Sequence, residues 1–240
     1  MTKLYFAGAE SSSDICTKYK VNILVSFFNI GNKEIPNLPT FLDSGAYSAF
    51  TQKKPIDLKK YINYIKKNKN KFKIYSSLDV IGNPEATWTN YKIMKEAGLS
   101  PIPTFHVGSD FKYLEQMKNE PYIALGGMVP YSTKSTFLMK WLRKCFGIIP
   151  KETKVHGFGM TNPKIIEKFS FYSVDSTSWL AGARYGQFYQ FNGTKLRGLS
   201  KTQLTNKYKF QFNKLNHNKI NQWNMLQWKK YANYLEEKWN

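Results

Sequence analysis

The chain has 240 residues, 42% of them hydrophobic, and a formal net charge of +20 from 36 Lys+Arg against 16 Asp+Glu. This composition excludes general disorder, and the lack of an apolar run long enough to span a bilayer excludes a membrane-spanning helix. Its two cysteines, Cys16 and Cys145, are too few for a disulfide framework and form no CxxC pair for a zinc site.

The excess of lysine points to a polyanionic partner. Lysines that displace condensed counterions gain affinity through ion release, so a nucleic acid is the predicted partner and its binding should weaken steeply with salt. An AT-rich coding sequence and simple solubility are alternative explanations of the charge. The amino-terminal apolar run is shorter than the hydrophobic region of a secretory signal, so we predict a cytoplasmic protein with no membrane partner.

Short apolar runs bounded by turn residues predict eight strands. They cover residues 4–9, 22–28, 40–44, 73–80, 101–107, 122–128, 154–160 and 171–177. Helical patterns lie between several of these runs, at 57–68, 83–98 and 134–146, and "TNPKIIEKF" carries an Asn-Pro helix start. Strands alternating with helices predict parallel pairing, and eight of them predict a (β/α)8 TIM-like barrel, irregular near the first strands. A doubly wound open sheet is the competing fold.

The composition changes after residue 193, where Lys, Asn, Gln and Trp become frequent. We therefore predict a barrel domain at residues 1–193 and a basic, Trp-rich helical extension at 194–240. The extension ends in a predicted helix, "KINQWNMLQWKKYANYLEEKW". Its apolar side chains can pack on the barrel while its basic side contacts a nucleic acid, and these two interpretations are compatible.

Polar residues and glycines recur where the predicted strands end. In a (β/α)8 barrel the functional groups come from the carboxyl ends of the strands and the loops that follow. The residues found there are Asp43, Asp79, His106, Gly126, Gly127, His156 and Asp175. Each has a simpler explanation as a turn residue, a helix cap or a core histidine, but carboxylates are seldom buried without partners. Together they predict a pocket at this rim.

Carboxylates grouped in this way suit the exchange of a base on a sugar. One carboxylate attacks the anomeric carbon and another transfers a proton to or from the leaving group. A third accepts hydrogen bonds from the N1–H and 2-amino groups of guanine. The sequence contains no P-loop, GxSxG, HExxH or GxGxxG motif that favours another reaction.

Five segments, in this order, resemble the barrel motifs of tRNA-guanine transglycosylases. They are "LDSGAYSAF", "SLDVIGNP", "ALGGMVP", "VHGFGMTNP" and "YSVDSTSW", within roughly residues 1–193. The resemblance is closer still to the compact phage and mobile-element relatives that insert 7-deazaguanines into DNA. It implies a TIM barrel, a polynucleotide and a free 7-deazaguanine base as substrates, and no cofactor.

Residue by residue, the resemblance assigns Asp175 as the nucleophile and Asp43 as the proton-transfer group. Tyr47 matches the aromatic residue that stacks on the base, and Asp79 matches the carboxylate that reads its guanine-like edge. The other residues that the resemblance places around the base are Ser44, His106, Gly126, Gly127, Met128 and His156.

Two positions depart from the pattern of the tRNA enzymes. His106 stands where those enzymes usually carry a glutamine, and His156 stands where they carry an apolar residue that stacks on the base. The tRNA enzymes also have a Cys-rich zinc site after the last barrel motif, whereas this sequence has no cysteine beyond Cys145. The sequence therefore predicts no metal and favours DNA over tRNA.

The resulting prediction is a DNA base-exchange transglycosylase that replaces guanine with a free 7-deazaguanine. Three alternatives stay open at this point. The same exchange can take place on tRNA, the barrel can be an inactive nucleic-acid-binding module, or the enzyme can hydrolyse the glycosidic bond rather than exchange the base.

Overall fold

The computed structural model describes residues 2–160, 162–200, 202–203 and 216–238. Within these ranges it contains eight parallel strands in one sheet, so the predicted α/β fold with parallel pairing is confirmed. The strands are β1 (Lys3–Ala7), β2 (Ile23–Ser26), β3 (Thr40–Asp43), β4 (Ile74–Tyr75), β5 (Thr104–His106), β6 (Tyr122–Gly126), β7 (Lys154–Gly157) and β8 (Ser173–Ser176).

The sheet is curled, with the strand order β4-β3-β2-β1-β8-β7-β6-β5. An isolated parallel bridge between Ser76 and Ile102 joins the segments beside its two edge strands. There the Ile102 N–H donates to the Tyr75 carbonyl at 2.9 Å, and the Ser77 N–H donates to the Ile102 carbonyl at 2.8 Å. This arrangement is compatible with a TIM-like barrel.

Helices flank the sheet. Those of the main body are α1 (Ser13–Tyr19), α2 (Phe27–Ile30), α3 (Ala46–Thr51), α4 (Leu58–Lys67), α5 (Pro84–Glu96), α6 (Phe111–Met117), α7 (Ser135–Ile148), α8 (Pro163–Ile166) and α9 (Ala181–Tyr185). The predicted helices α4, α5 and α7 are present. The Asp57 side chain caps α4 by accepting the Lys60 N–H at 2.9 Å, and Pro84 lies at the start of α5.

The buried side chains form two main clusters on opposite faces of the sheet. The larger one fills the space between the sheet and the helices. The smaller one includes Tyr5, Leu24, Phe41 and Ala124 and lies inside the curl. Neighbouring residues of one strand alternate between the clusters, as the pleat requires: Leu42 lies in the outer cluster and Phe41 in the inner one.

The sequence after α9 forms an antiparallel hairpin and a long helix. The hairpin consists of β9 (Phe188–Phe191) and β10 (Leu196–Leu199), and the helix, α10, covers His217–Lys238. The Asn224 side chain of α10 accepts the Tyr189 N–H at 2.9 Å and donates to the Gln187 carbonyl at 3.1 Å, so α10 is tied to the hairpin. Residues 201, 204–215 and 239–240 of the predicted extension lie outside the described residues.

Helix α10 buries an apolar face within the main core. Met225, Trp228, Tyr231 and Leu235 are each at most 1% exposed, and α10 packs against α1 and β1. Its apolar residues therefore serve packing, as one of the two interpretations of the sequence expected. No helix in the described ranges combines the length and apolar character needed to cross a membrane.

Candidate active site

Strand alternation places the predicted site residues on the inner face of the sheet. Asp43 follows two residues after Phe41, which lies in the inner cluster. Asp175 follows Val174, which lies in the outer cluster and is fully buried. Because side chains alternate along a strand, both carboxylates point inward at the carboxyl ends of their strands. His106, Gly126 and His156 also lie on the inner face, because the residue before each of them belongs to the outer cluster.

A cavity of about 410 Å³ opens at this end of the sheet. Its volume lies within the range of small-molecule sites. Apolar side chains, including Val129 and Phe158, form part of its wall. Six of the predicted site residues line it: Asp43, Tyr47, Asp79, His106, Gly126 and Gly127.

Four predicted residues do not line this cavity. Ser44 is fully buried, and its hydroxyl accepts the Ala46 N–H at 3.4 Å. Met128 is 2% exposed and packs in the outer core. His156 and Asp175 are also buried, behind a stretch of cavity wall to which Gly159 belongs.

Asp43 is held by two donors at the turn between β3 and α3. Its Oδ2 accepts the Gly45 N–H at 3.0 Å, and its Oδ1 accepts the Ser76 hydroxyl at 3.3 Å. Gly45 has φ +80°, and a Cβ there would collide with the Ser26 hydroxyl and the Phe28 side chain. The turn therefore requires glycine at position 45, and the Gly45 N–H helps to fix the Asp43 carboxylate at the rim.

The pKa of Asp43 is raised to about 7. Burial is the largest cause, and the charges of Asp79 and Asp175 add to it, while the bonds from Gly45 and Ser76 oppose it. Three carboxylates therefore lie close enough to influence one another. A carboxyl group that titrates near neutrality can both give and take a proton.

This pKa predicts how stability depends on pH. Between the unfolded pKa of 3.8 and the folded pKa of about 7, the folded state holds a proton on Asp43 that the unfolded state releases. The contribution of Asp43 to the free energy of unfolding is thus fully present below the unfolded pKa and is lost as pH rises through about 7. Urea unfolding of the wild type and Asp43→Asn across this range should show the variant gaining relative stability up to about pH 7 and none beyond. A difference that is constant with pH would contradict the raised pKa.

Asp79 forms an ion pair with His106. The distance from His106 Nε2 to Asp79 Oδ2 is 3.2 Å. Burial lowers the pKa of His106, but the charge and hydrogen bond of Asp79 and the charge of Asp43 outweigh burial and leave the pKa raised. The other oxygen of Asp79, Oδ1, is buried and has no hydrogen-bond partner among the described residues. Asp79 therefore has unmet acceptor capacity at the cavity wall.

Asp175 stands at one end of a buried polar chain. The Gly159 N–H donates to its Oδ1 at 2.8 Å, and His156 Nε2 lies 3.3 Å from the same oxygen. On the other side of the ring, His156 Nδ1 is 2.6 Å from the Ser173 hydroxyl oxygen. Ser173 in turn contacts the Tyr122 hydroxyl at 2.5 Å.

The chemistry of these groups orients the hydrogens of the chain. A carboxylate only accepts, so His156 presents its Nε2–H to Asp175, although at 3.3 Å the pair lacks good hydrogen-bond geometry. His156 Nδ1 then accepts from Ser173, and the Ser173 oxygen accepts from Tyr122. The rings of Phe41 and Phe158 enclose the imidazole, with centroids 4.7 and 4.6 Å away. This environment keeps His156 in one orientation beside Asp175.

Gly126 and Gly127 are part of the cavity wall, where an added side chain would collide with its neighbours. A Cβ on Gly126 would lie 2.9 Å from the His106 ring, and Gly127 has φ +72°. The Gly126 carbonyl already accepts the Val107 N–H at 3.0 Å. The neighbouring His106, Thr104 and Val107 atoms therefore leave no space for a side chain at either glycine, and both residues line the cavity without one.

Sequence reasoning missed four residues of this site: Ser76, Tyr122, Gly159 and Ser173. Ser76, Gly159 and Ser173 each contact a predicted residue, and Tyr122 contacts Ser173. The signal for Gly159 was present, because "VHGFGM" carries a second glycine just after β7. Ser76 and Ser173 also share the inner-face parity of their strands.

No family model matches this chain, and no curated protein matches it either. In the part of the chain that the structure describes, no group of three or more His, Cys, Asp or Glu side chains is placed to hold a metal ion. The function is therefore inferred from three carboxylates, two histidines and a glycine wall at one end of a curled parallel sheet.

Proposed function

We propose that this protein is a base-exchange transglycosylase that replaces guanine in DNA with a free 7-deazaguanine. The observation that carries this proposal is the grouping of three carboxylates: Asp43 and Asp79 line the cavity, and Asp175 is buried beside it, bonded to Gly159 of the cavity wall and close enough to help raise the pKa of Asp43 to about 7. The proposal includes closure of the curled sheet into a (β/α)8 barrel like that of tRNA-guanine transglycosylases. The resemblance of five sequence segments to the compact phage relatives of those enzymes also supports it.

In the first step, Asp175 attacks C1′ of the target deoxyguanosine. The bond from C1′ to guanine N9 breaks as the bond from C1′ to the carboxylate oxygen forms, and the electron pair leaves with guanine. The protonated form of Asp43 supplies a proton to the departing base. One Asp175 oxygen already accepts from Gly159, so the other oxygen is the candidate for attack.

In the second step, the 7-deazaguanine replaces guanine in the cavity. Its N9–H passes the proton to Asp43, which was left ionised by the first step, and N9 attacks C1′. The bond to Asp175 breaks and the carboxylate is regenerated. Two displacements at C1′ preserve the β configuration, and the proton balance of the enzyme returns to its starting state.

The remaining residues fit recognition of a guanine-like base. The unpartnered Asp79 oxygen suits the N1–H and 2-amino donors of such a base. Gly126 and Gly127 line the cavity without side chains, and Tyr47 lines it from α3, 59% exposed, where it can stack on the base. His106 holds Asp79 in place through their ion pair.

The charge of the chain supports a nucleic acid as the substrate polymer. A net charge of +20 offers many sites for counterion release. A base inside a duplex must leave the stack to reach the cavity, at a cost of a few kcal/mol that contacts to the backbone offset. DNA is proposed over tRNA from the compact motifs and the scarcity of cysteine.

Incorporation of radiolabelled guanine tests the proposal. The wild-type protein is expected to transfer label into guanine-containing DNA and not into unmodified tRNA, with a panel of labelled 7-deazaguanines as parallel acceptors. Label entering only tRNA would move the reaction to that polymer. Release of free base without any acceptor would indicate a hydrolase. If the protein binds DNA but incorporates no label from any acceptor, the result would indicate an inactive nucleic-acid-binding module.

A further inference from the structure

The cavity of about 410 Å³ that Asp43 lines is called the central cavity below. A second cavity, of about 460 Å³, adjoins it. Ala46, Asp79 and Ile81 line both cavities, so the two share a wall. The second cavity is bounded by α3, the loop between α3 and α4, the loop between β4 and α5, and single residues of α4 and α5. A ligand in the central cavity therefore lies next to a second cavity to which the proposed function gives no role.

Helix α3 presents one aromatic ring to each cavity. Tyr47 lines the central cavity, and Phe50 lines the second one. The two rings are 59% and 61% exposed, and neither contacts another aromatic ring in the described ranges. Residues three apart lie on the same face of a helix, so the rings stand side by side over adjoining compartments. Exposed, unpartnered rings of this kind serve as stacking platforms in single-strand binding proteins.

Two lysines stand at the rim of the second cavity. Lys53 and Lys54 line it, and the ammonium groups have no ion-pair or hydrogen-bond partner among the described residues. The Lys53 N–H donates to the Phe50 carbonyl at 3.1 Å, and the Lys54 N–H donates to the Ala49 carbonyl at 2.9 Å, which closes the end of α3. Lys53 has φ +54°, a conformation that usually selects glycine at a helix end, yet the chain has a cation there. The helix end therefore fixes the backbone of both lysines at the cavity that Phe50 also lines.

We propose that the second cavity binds the nucleotide next to the exchanged guanine. Phe50 stacks on the neighbouring base, and Lys53 and Lys54 contact the phosphate that joins the two nucleotides. This proposal rests on the proposed function and adds a subsite to it. Since every base has a π face, the subsite tolerates any neighbour while it requires a polynucleotide, so a free nucleoside should be a poor substrate.

Loss of the Phe50 ring tests the stacking contact. Phe50→Ala is expected to weaken binding of a short fluorescent single-stranded DNA with one guanine by between about 5-fold and about 150-fold in fluorescence anisotropy. Phe50→Trp should retain the affinity. Tyr185→Ala is the matched control, because Tyr185 is 80% exposed and lines neither cavity. Unchanged binding by Phe50→Ala would overturn the proposal.

Salt dependence tests the phosphate contact. Lys53→Gln/Lys54→Gln should reduce the slope of log affinity against log salt by about 0.7, because the two lysines share one phosphate and each phosphate that is neutralised on a single strand contributes about 0.7. Lys92→Gln/Lys151→Gln removes two exposed charges outside both cavities and should leave the slope nearly unchanged. Equal slopes for the two double variants would overturn the assignment of these lysines.

Kinetics separate this proposal from the function on which it rests. If the wild type exchanges bases, Phe50→Ala should raise the KM for DNA and leave kcat and the KM for the free base unchanged. A raised KM for the free base alone would instead assign the cavity to the incoming base and overturn the subsite. If the wild type exchanges nothing, the proposed function fails, and the binding measurements still decide whether the second cavity holds a nucleotide.

Discussion

Asp175→Asn is expected to abolish base exchange, with kcat/KM falling by at least about 10³-fold. The amide keeps the shape of the side chain and can still accept the Gly159 N–H that now donates to Oδ1 at 2.8 Å. It cannot form the ester bond to C1′. The loss therefore concerns chemistry, and the affinity for DNA should stay within a few fold of the wild type.

A covalent adduct provides the measurement. Wild-type protein incubated with end-labelled guanine-containing DNA and no added acceptor should give a protein-DNA band that survives denaturation, and Asp175→Asn should give none. Asp110→Asn is the matched control: it makes the same chemical change at an exposed carboxylate that caps α6, where Asn is an equally good cap. An adduct of normal yield in Asp175→Asn would assign the nucleophile elsewhere.

The buried chain behind Asp175 suits the role of nucleophile that we propose for this aspartate. The Gly159 N–H donates to one oxygen of the carboxylate and the buried His156 ring lies 3.3 Å from the same oxygen, so the orientation of Asp175 is restricted before substrate arrives. Ser173 and Tyr122 extend this restraint to β8 and β6, which are buried strands of the sheet. A nucleophile fixed by strands loses little freedom in the transition state, which is the benefit of preorganisation.

The strands and the rim carboxylates were predictable because they depend on local patterns. Apolar runs of strand length mark the sheet, and parallel strands bring their carboxyl ends to one edge, so Asp43, Asp79 and Asp175 had to approach one another. Parity also explains why Ser44 does not line the cavity. It follows Asp43 directly, and consecutive residues turn in different directions where the strand ends.

The supporting contacts depend on strand register, which local patterns do not contain. The pairing of His156 with Ser173 requires β7 and β8 to align at those residues, as they do. The hairpin of β9 and β10 had a readable signal in Asn192-Gly193, between two runs of strand character. The two strands of this hairpin lie on either side of residue 193, where the change of composition led us to place a domain boundary. Turn residues are a better guide to local structure than a change of composition.

Asp43→Asn is expected to lower kcat for exchange by about 10² to 10⁴-fold, the usual contribution of a positioned proton-transfer group. The first half-reaction needs the protonated carboxyl group and should slow as pH rises through about 7, whereas the second half-reaction needs the carboxylate and should slow as pH falls through the same value. The wild type should therefore show an optimum near neutrality. In Asp43→Asn, the fall in exchange rate that Asp43 causes on each side of the optimum should disappear.

A substrate that needs no acid isolates this role from that of Asp175. N7-methylguanine is a cationic leaving group in DNA, so its departure requires no proton from Asp43. Single-turnover release of 7-methylguanine should therefore be much less impaired in Asp43→Asn than release of guanine, while Asp175→Asn should fail with both. His106→Gln controls for the nearby histidine, whose pKa is also raised. If Asp43→Asn is equally slow with both leaving groups, Asp43 does not supply the proton, and its raised pKa only reflects its burial near two other carboxylates.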